Sequence, residues 1–355
     1  MSIRLKYLRK RESIIDRLRS FKNKLTYNIT IIGSYNTMNA GDKILCDAAA
    51  HFFLNKGFKV NIQSKRKIIA YKSKFVIVCG GDILHDNSQK NVEWLNKLLI
   101  LNKKVVFLGA GVPGFYLTTE QDIYKLLNKA YFIITRDKKS FQRLKKINLN
   151  NILNGVDNAF LIKDLIKKDL ETNKAEVILN IKEYASASLS SKWVEKKGNQ
   201  PIEKSDYLKF ISKIIDYYRS KGDLKISALP MTFEDEIFIR KHFKNKIDFI
   251  YKYTSDFHKI SSIISKSKEV FTTRFHFHLL SLINNKKIIC YAYADKVENI
   301  NDEIGNFKYI SREEVLDFKE KKFDSYVNNF TEYAEGFEKY LIKSKSEIEF
   351  LNELK

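Results

Sequence analysis

Cysteine and proline are scarce in this sequence, and long apolar runs are missing. Its 355 residues include three cysteines, Cys46, Cys79 and Cys290, and three prolines. Three dispersed cysteines exclude a disulfide framework and a cysteine-rich zinc site, so we expect a reducing, cytoplasmic compartment. The low proline and glycine content argues against a disordered or fibrous chain. No stretch has the roughly twenty apolar residues of a transmembrane helix, and we expect no signal peptide.

Positive charge, in contrast, is abundant. The chain has 64 Lys and Arg against 42 Asp and Glu, a formal net charge of +22. Such a charge favours an anionic partner, which could be a phosphorylated substrate, a membrane surface or nucleic acid. Lysine, isoleucine and asparagine are frequent throughout, however, so a compositional bias explains most of the surface lysines equally well. Because no helix-turn-helix, RNP-like or zinc-finger motif is present, we predict no nucleic-acid partner.

The N-terminal segment 1–25 predicts a basic amphipathic helix. Residues 4–24 contain nine Lys or Arg against Glu12 and Asp16, and their apolar residues recur at helical spacing. Such a helix could bind an anionic membrane surface through residues 1–24, which would place the protein at the inner face of the membrane. The alternative is that the apolar stripe contacts its own domain, and the sequence favours neither.

The rest of the chain alternates short apolar strands with amphipathic helices. This rhythm predicts an α/β fold with two Rossmann-like, doubly wound parallel-sheet domains facing a cleft. We place the domains at 26–165 and 175–318, joined by a polar linker at 163–174 and followed by C-terminal helices at 319–355. The predicted strands are 28–32, 75–78, 105–108, 131–134, 150–153, 177–181, 224–229, 270–273 and 287–291.

Two junctions between a strand and a helix in the first domain could contact a ligand. Asn39, Gly41 and Asp42 form a turn whose backbone N–H groups could hold an anion or a sugar hydroxyl. The simpler alternative is that Asp42 only caps the following helix. Further along, the paired glycines of Gly80-Gly81-Asp82 would let a ligand approach the backbone. This loop fits neither the GxGxxG dinucleotide pattern nor a P-loop.

Two later junctions carry positive charge. Arg136 follows a strand directly, although a salt bridge with a neighbouring carboxylate would also explain it. Arg274 and His276 stand two residues apart after another strand, and Lys296 follows the strand after that. Together these residues offer cations that bind an anion and a group that titrates near neutral pH, as acid catalysis on an anionic substrate requires.

Taken in order, the four blocks resemble the polysaccharide pyruvyl transferase family. That family shows an Asn-x-Gly-Asp turn, a Gly-Gly loop, an Arg-Asp-x-x-Ser block, an Arg-x-His motif and then a lysine beyond the next strand. The resemblance covers about residues 28–300. The sequence departs from the pattern at Asp82, where a further glycine is common.

The resemblance implies a function. Family members resemble glycosyltransferases of the two-domain GT-B architecture and need no metal or cofactor. They transfer the enolpyruvyl group of phosphoenolpyruvate onto two hydroxyls of a sugar, forming a cyclic pyruvate ketal in an exopolysaccharide or capsule and releasing phosphate. The acceptor can be lipid-linked. We therefore expect the acceptor at the N-terminal domain and phosphoenolpyruvate at the C-terminal one.

The resemblance also implies residue roles. Arg136 and Arg274 would bind the phosphate and carboxylate of phosphoenolpyruvate, and Lys296 would add a point charge. His276 would protonate the methylene carbon, and Asp42 would orient or deprotonate the acceptor hydroxyl.

His278 competes with His276 for the acid role. The two side chains would point about 200° apart on a helix, so only one faces the site. The family pattern favours His276. The alternative to a catalytic role is a structural one, in which Arg274 forms a buried ion pair and the histidine is capped.

A second function from the same fold stays open at this point. A nucleotide-sugar glycosyltransferase would need an acidic residue that contacts a ribose, and Asp295 or Glu298 could serve. It would not need two separated arginines and a histidine for a small anion.

Overall fold

The computed structural model describes residues 27–34, 37–64, 73–81, 89–100, 104–112, 126–166, 176–184, 202–305, 307–318 and 320–327, and four single residues between 335 and 343. The chain divides into two units. The first contains residues up to Ile162 together with Lys339–Lys355, and the second contains Lys163–Glu338. The predicted N-terminal helix 1–25 and Asp82 lie outside the described residues.

The first unit is built on a six-stranded parallel sheet. Its strand order is β2-β1-β3-β4-β5-β6. The central strands are buried along most of their length, as expected for a parallel sheet with both faces covered. The strands are β1 (Ile29–Gly33), β2 (Val60–Ser64), β3 (Phe75–Gly81), β4 (Lys104–Ala110), β5 (Phe132–Thr135) and β6 (Ile152–Asn154). The helices are α1 (Ala40–Asn55), α2 (Gln89–Leu99) and α3 (Lys138–Lys145). A 3₁₀ helix at Asn158–Leu165 contains the division between the units at Ile162.

The second unit repeats this architecture with a five-stranded parallel sheet of order β11-β10-β7-β8-β9. The predicted pair of parallel-sheet α/β domains is therefore confirmed. The strands are β7 (Glu176–Asn180), β8 (Lys225–Ala228), β9 (Phe249–Ile250), β10 (Glu269–Thr272) and β11 (Lys287–Cys290). The helices are α4 (Lys204–Ser220), α5 (Phe233–His242), α6 (Phe257–Lys266), α7 (Phe275–Ile283), α8 (Asp295–Ile304) and α9 (Arg312–Leu316), followed by a 3₁₀ helix at Glu320–Tyr326.

Each sheet has one point where the strand order reverses. In the first unit β1 lies beside β3, and in the second β7 lies beside β10. The chain leaves such a pair toward opposite sides of the sheet, so the loops at the two carboxyl ends diverge and leave a crevice. Ligands of open α/β sheets bind in that crevice. The topology therefore predicts that a ligand of the first unit contacts the loops after β1 and β3. A ligand of the second unit is expected at the loops after β7 and β10.

The close fit of β1 against α1 accounts for one glycine and one cysteine. A Cβ atom added at Gly33 would collide with the Sγ atom of Cys46. Cys46, Cys79 and Cys290 are all free and buried. A hydrogen bond with Cys79, together with burial, raises the pKa of the Cys46 thiol well above its usual value. These thiols therefore serve as small apolar side chains in the core.

Helix α1 begins at Ala40, with Asn39 as its N-cap, and Phe53 is among its buried residues. Strand β3 continues through both predicted loop glycines to Gly81. Within the described ranges, no helix is both long and apolar enough to cross a membrane.

Candidate active site

Arg274 forms a bidentate ion pair with Asp235 at the crevice of the second sheet. Its Nε lies 3.0 Å from Asp235 Oδ2 and its Nη2 lies 2.5 Å from Oδ1. Nη2 also lies 3.3 Å from the Thr232 hydroxyl. Burial alone lowers the pKa of Arg274, but the Asp235 carboxylate outweighs it and the pKa is raised. The guanidinium is thus permanently charged and fixed in direction.

The Asp235 carboxylate ties together the loops that follow β7, β8 and β10. It is fully buried and accepts hydrogen bonds from the backbone N–H groups of Glu183 (2.8 Å) and Thr232 (3.1 Å). Thr232 and Asp235 form a capping box at the start of α5. Since Arg274 follows β10, one carboxylate fixes three loops at the same edge of the sheet.

A second cation, Lys182, follows β7 at the same crevice. Its backbone N–H donates to the Thr273 hydroxyl at 2.6 Å, and Thr273 N–H donates in turn to the Asn180 carbonyl at 3.0 Å. Only 5% of Lys182 is exposed. Its Nζ lies 4.1 Å from the centre of the Tyr293 ring, a distance typical of a cation–π contact.

Lys296 completes a group of three cations. It lies in the first turn of α8, with its Nζ 5.7 Å from the Phe275 ring centre and 5.9 Å from that of Tyr293. Burial, and then the positive charges of Arg274 and Lys296, lower the pKa of Lys182 well below its usual value. The edge of the second sheet is therefore strongly electropositive, which suits an anionic ligand.

The two neighbouring histidines differ in their surroundings. His276 lies in the first turn of α7, half-buried, with its ring centre 5.2 Å from that of Phe275. His278 is fully buried against Phe307, and burial lowers its pKa to about 3. His278 therefore stays neutral at physiological pH and cannot act as a proton donor there. The role of His276 remains a prediction.

In the first unit, Asn39 and Asp42 organise the loop after β1. The Asn39 Oδ1 accepts from Gly41 N–H at 3.0 Å, and its Nδ2 donates to Asp42 Oδ2 at 3.2 Å. The Thr37 hydroxyl also donates to Asp42 Oδ2, at 3.0 Å. Asn39, not Asp42, is thus the helix N-cap, and the half-buried Asp42 carboxylate is held in place by two side-chain donors.

The paired glycines lie at the carboxyl end of β3, beside that loop. Gly81 pairs with Ala110 of β4 and accepts a hydrogen bond from Gly111 N–H at 2.9 Å. Its φ of +76° is a conformation that side-chain-bearing residues rarely adopt. The backbone conformation at position 81 therefore accounts for the glycine there. The role of Gly80 and Gly81 in acceptor binding remains a prediction.

Arg136 lies at the carboxyl end of β5, in the first unit. It is 4% exposed, and its Nε lies 3.4 Å from Oδ2 of the adjacent Asp137. Asp137 also caps α3 by accepting from Ser140 N–H at 2.7 Å. The predicted alternative for Arg136, a contact with a neighbouring carboxylate, is thus present. Ligand binding by Arg136 remains a prediction.

The structure therefore brings Arg274, His276 and Lys296 together in the second unit, while Asp42 and Arg136 belong to the first. Sequence reasoning missed Lys182 and Asp235. Lys182 follows its strand by two residues, a position like that of Arg274, and Thr232 with Asp235 has capping-box spacing. In the described part of the chain, no group of three or more His, Cys, Asp or Glu side chains is arranged to hold a metal ion.

Comparison with known families decides which family this is. The profile of polysaccharide pyruvyl transferases matches residues 39–295, well over half of the sequence. The chain belongs to the polysaccharide pyruvyl transferase family. Its match ends at Asp295, directly before Lys296, and includes the other described candidate residues. Comparison with curated proteins gives no significant match.

Solved structures share the fold at low sequence identity. A Staphylococcus aureus MnaA–UDP structure has a TM-score of 0.55 at 13% identity, covering 92% of this chain and 97% of that one. A Neisseria meningitidis UDP-GlcNAc 2-epimerase bound to UDP-GlcNAc scores 0.54 at 10% identity, covering 92% and 99%. A Methanocaldococcus jannaschii UDP-GlcNAc 2-epimerase scores 0.50 at 11% identity, covering 85% and 94%. At this identity the likeness shows the architecture alone.

Proposed function

We propose that this family member transfers the enolpyruvyl group of phosphoenolpyruvate onto two hydroxyls of one sugar, forming a cyclic pyruvate ketal. The product would belong to a surface polysaccharide, an exopolysaccharide or capsule, or to its lipid-linked precursor. The observation that carries the proposal is the arrangement of Arg274 and Lys296 beside His276 at the crevice of the second sheet. A small ligand with two anionic groups suits that arrangement.

Arg274 and Lys296 supply charge where phosphoenolpyruvate needs it. The donor carries a phosphate and a carboxylate, and both must be held while C2 becomes electrophilic. Arg274 directs Nε and Nη2 to Asp235, which fixes the guanidinium and leaves its remaining donor atom, Nη1, for the ligand. Lys296 adds a point charge near the Phe275 and Tyr293 rings.

The reaction needs one proton donor and one leaving group. His276 gives a proton to the C3 methylene, so that C2 becomes electrophilic. A sugar hydroxyl attacks C2, the bond between C2 and the phosphate oxygen breaks, and phosphate leaves. The second hydroxyl then closes the ketal ring. Of the two hydroxyl protons lost, one restores the His276 proton and the other leaves with phosphate.

The loop after β1 is our candidate for acceptor recognition. Asp42 is held by Asn39 and Thr37, so its carboxylate can orient a sugar hydroxyl or accept its proton. Gly41, Gly80, Gly81 and Asp82 are proposed acceptor contacts, and Arg136 a further donor contact. No metal or cofactor takes part in this scheme.

The basic segment 1–24 is proposed to hold the enzyme at an anionic inner membrane face if the acceptor is lipid-linked. Its nine Lys and Arg residues against two acidic ones support this. The experiment is cosedimentation of the full chain, and of a variant lacking residues 1–24, with vesicles containing anionic lipid. We expect the truncation to abolish binding. Undiminished binding of the truncated protein would contradict the proposal.

Phosphate release from phosphoenolpyruvate with a panel of hexose acceptors tests the reaction. We expect acceptor-dependent release that falls about 10²- to 10⁴-fold in His276→Ala and is also lost in Arg274→Ala. Arg274→Lys keeps a charge beside Asp235 and guards against misfolding of Arg274→Ala. His258→Ala, on the exposed face of α6, is the matched control and should retain activity.

Binding of UDP in place of phosphoenolpyruvate would contradict the proposed reaction. If UDP raises the melting temperature while phosphoenolpyruvate does not, and no acceptor releases phosphate, the pyruvyl transfer proposal is wrong. A nucleotide-sugar glycosyltransferase would then be the better explanation.

A further inference from the structure

We propose that Lys182 is a phosphate-binding residue of the donor site. This inference rests on the proposed phosphoenolpyruvate-dependent function, and it adds a cation that the sequence motifs do not contain. Three features of Lys182 support it: its place in the sheet, the contacts of its ammonium group and the charges around it.

The topology places Lys182 where a ligand is expected. It follows β7, and Arg274 follows β10, the two strands between which the order of the second sheet reverses. The Thr273 hydroxyl joins the two strand ends by accepting from Lys182 N–H and donating to the Asn180 carbonyl. Lys182 and Arg274 therefore border the same crevice.

The Lys182 Nζ lies 4.1 Å from the centre of the Tyr293 ring. Among the described residues, no hydrogen bond or ion pair joins this ammonium group to an anionic side chain. Lys182 is 5% exposed, and enclosing a cation among protein groups with so little contact with water is costly. Such a group is retained at a cost in stability, which is expected where it binds a ligand.

The charges around Lys182 leave an excess of positive charge. Arg274 and Lys296 both act on it, against the carboxylates of Asp235 and Glu183. The Asp235 carboxylate already faces Arg274, and burial raises the pKa of Glu183. The aromatic groups nearby are Tyr293, whose ring lies under the ammonium, and Tyr207, whose hydroxyl donates to the Lys182 carbonyl.

Phosphate fits this site better than carboxylate does. Two lysines near one aromatic ring act as point charges, and lysine is a common phosphate ligand. The planar fork of Arg274, which suits a carboxylate, already binds Asp235. Helix α7 also starts here, and its N-cap residue Arg274 makes no capping hydrogen bond. Phosphates are often bound at such helix N-termini.

Proton uptake gives the proposal a readout that a structural role would not change. Burial and its cationic neighbours lower the pKa of Lys182 in the free protein. A bound dianion stabilises the ammonium and raises the pKa of Lys182, so phosphate binding is linked to proton uptake in the pH range where the free ammonium titrates. The uptake should be absent in Lys182→Arg, since a guanidinium is already charged.

Calorimetric titration of the full chain with inorganic phosphate at about pH 9, where free phosphate is a dianion, tests the proposal in buffers of different ionisation enthalpy. We expect Lys182→Met to weaken phosphate binding about tenfold or more. The variant removes a buried charge and should fold at least as stably as wild type. The control Lys209→Gln removes one charge from a side chain that is 74% exposed and should bind phosphate normally.

The outcomes separate this inference from the proposed reaction. Phosphate binding that requires Lys182, without pyruvyl transfer to any acceptor, would retain the phosphate site and contradict the reaction. Pyruvyl transfer with equal phosphate affinity in wild type and Lys182→Met would retain the reaction and overturn the role of Lys182. A wild-type protein that binds no phosphate would overturn it as well.

Discussion

The two units share a topology but differ in the chemistry of their sheet edges. In the second unit the loops after β7 and β10 carry Lys182 and Arg274, fixed by a buried carboxylate. In the first unit the loop after β1 carries Asn39, which donates to Asp42 and accepts from Gly41 N–H at the start of α1. The same architectural position thus carries buried or half-buried cations in one unit and an asparagine with a carboxylate in the other. Strand order determines where a ligand can bind, and the side chains at that place determine which ligand binds.

Of the changes considered, removal of Asp235 should destabilise the second unit most, because its carboxylate holds the loops at the carboxyl ends of β7, β8 and β10. Asp235→Ala leaves the half-buried Arg274 without its partner, and we expect a loss of up to about 3–5 kcal/mol in the stability of the second unit. Hydrogen exchange, which follows each unit separately, is the measurement. The control Asp216→Ala removes an ion pair that is about half exposed, and it should cost less than about 1 kcal/mol. Equal losses would show that Arg274 does not depend on Asp235.

Acidification should weaken the second unit through His278. Its pKa is about 3 when folded against a usual 6.5, so between these values the unfolded chain binds more protons. Stability therefore falls as pH drops below 6.5, by about 2 kcal/mol at about pH 5. Urea unfolding at several pH values measures this slope. His278→Leu should flatten it, whereas the exposed His258→Gln should leave it unchanged. An unchanged slope in His278→Leu would refute the assignment.

Substitution of Gly81 tests whether the loop end of the first sheet contacts the acceptor. At a φ of +76°, Gly81→Ala should lose about 1–2 kcal/mol of stability. If this glycine also contacts the acceptor, the KM for sugar should rise. Gly222→Ala is the matched control in the second unit, because Gly222 also has positive φ and an added Cβ there meets open space. A similar stability loss with unchanged KM in both variants would remove Gly81 from the acceptor site.

The smallest expected effect is at Asn39. Asn39→Ala removes the cap of α1 and one donor to Asp42, which should cost about 1 kcal/mol and raise the KM for the acceptor. Asp256→Ala removes the cap of α6, which accepts from His258 and Lys259 N–H groups, at a comparable cost but without that kinetic change. An Asn39→Ala enzyme with normal acceptor KM would confine Asn39 to a structural role.

The sequence predicted the parallel sheets because their inner strands are continuous apolar runs between turn residues. It missed β2, whose VNIQS sequence mixes polar and apolar residues, and β9, which has only two residues. Helix α8 was also missed: the sequence placed Lys296 only after a strand, and the structure places it in the first turn of this helix. Hydrophobic periodicity detects core-facing elements and gives little signal for short or edge elements.

Two residues of the second edge were not recognisable from sequence alone. Lys182 is one of many lysines in a lysine-rich chain, and only its burial distinguishes it. Asp235 lies in an acidic helical first turn between Glu234 and Glu236. Its contact with Arg274 spans 39 residues of sequence. Local sequence patterns identified the motif residues. Contacts between loops that are distant in sequence became visible only in the three-dimensional structure.

The Asp235 carboxylate has a consequence for the order of folding. It joins Glu183, Thr232 and Arg274, which follow three different strands, and the Thr273 contact to Lys182 spans 91 residues. Contacts between such distant parts of the chain form only after long loops have closed. The electropositive crevice therefore cannot exist in a partly folded second unit. A phosphate-bearing ligand would bind only the completed fold, so its presence would protect newly synthesised chains from proteolysis and slow their unfolding.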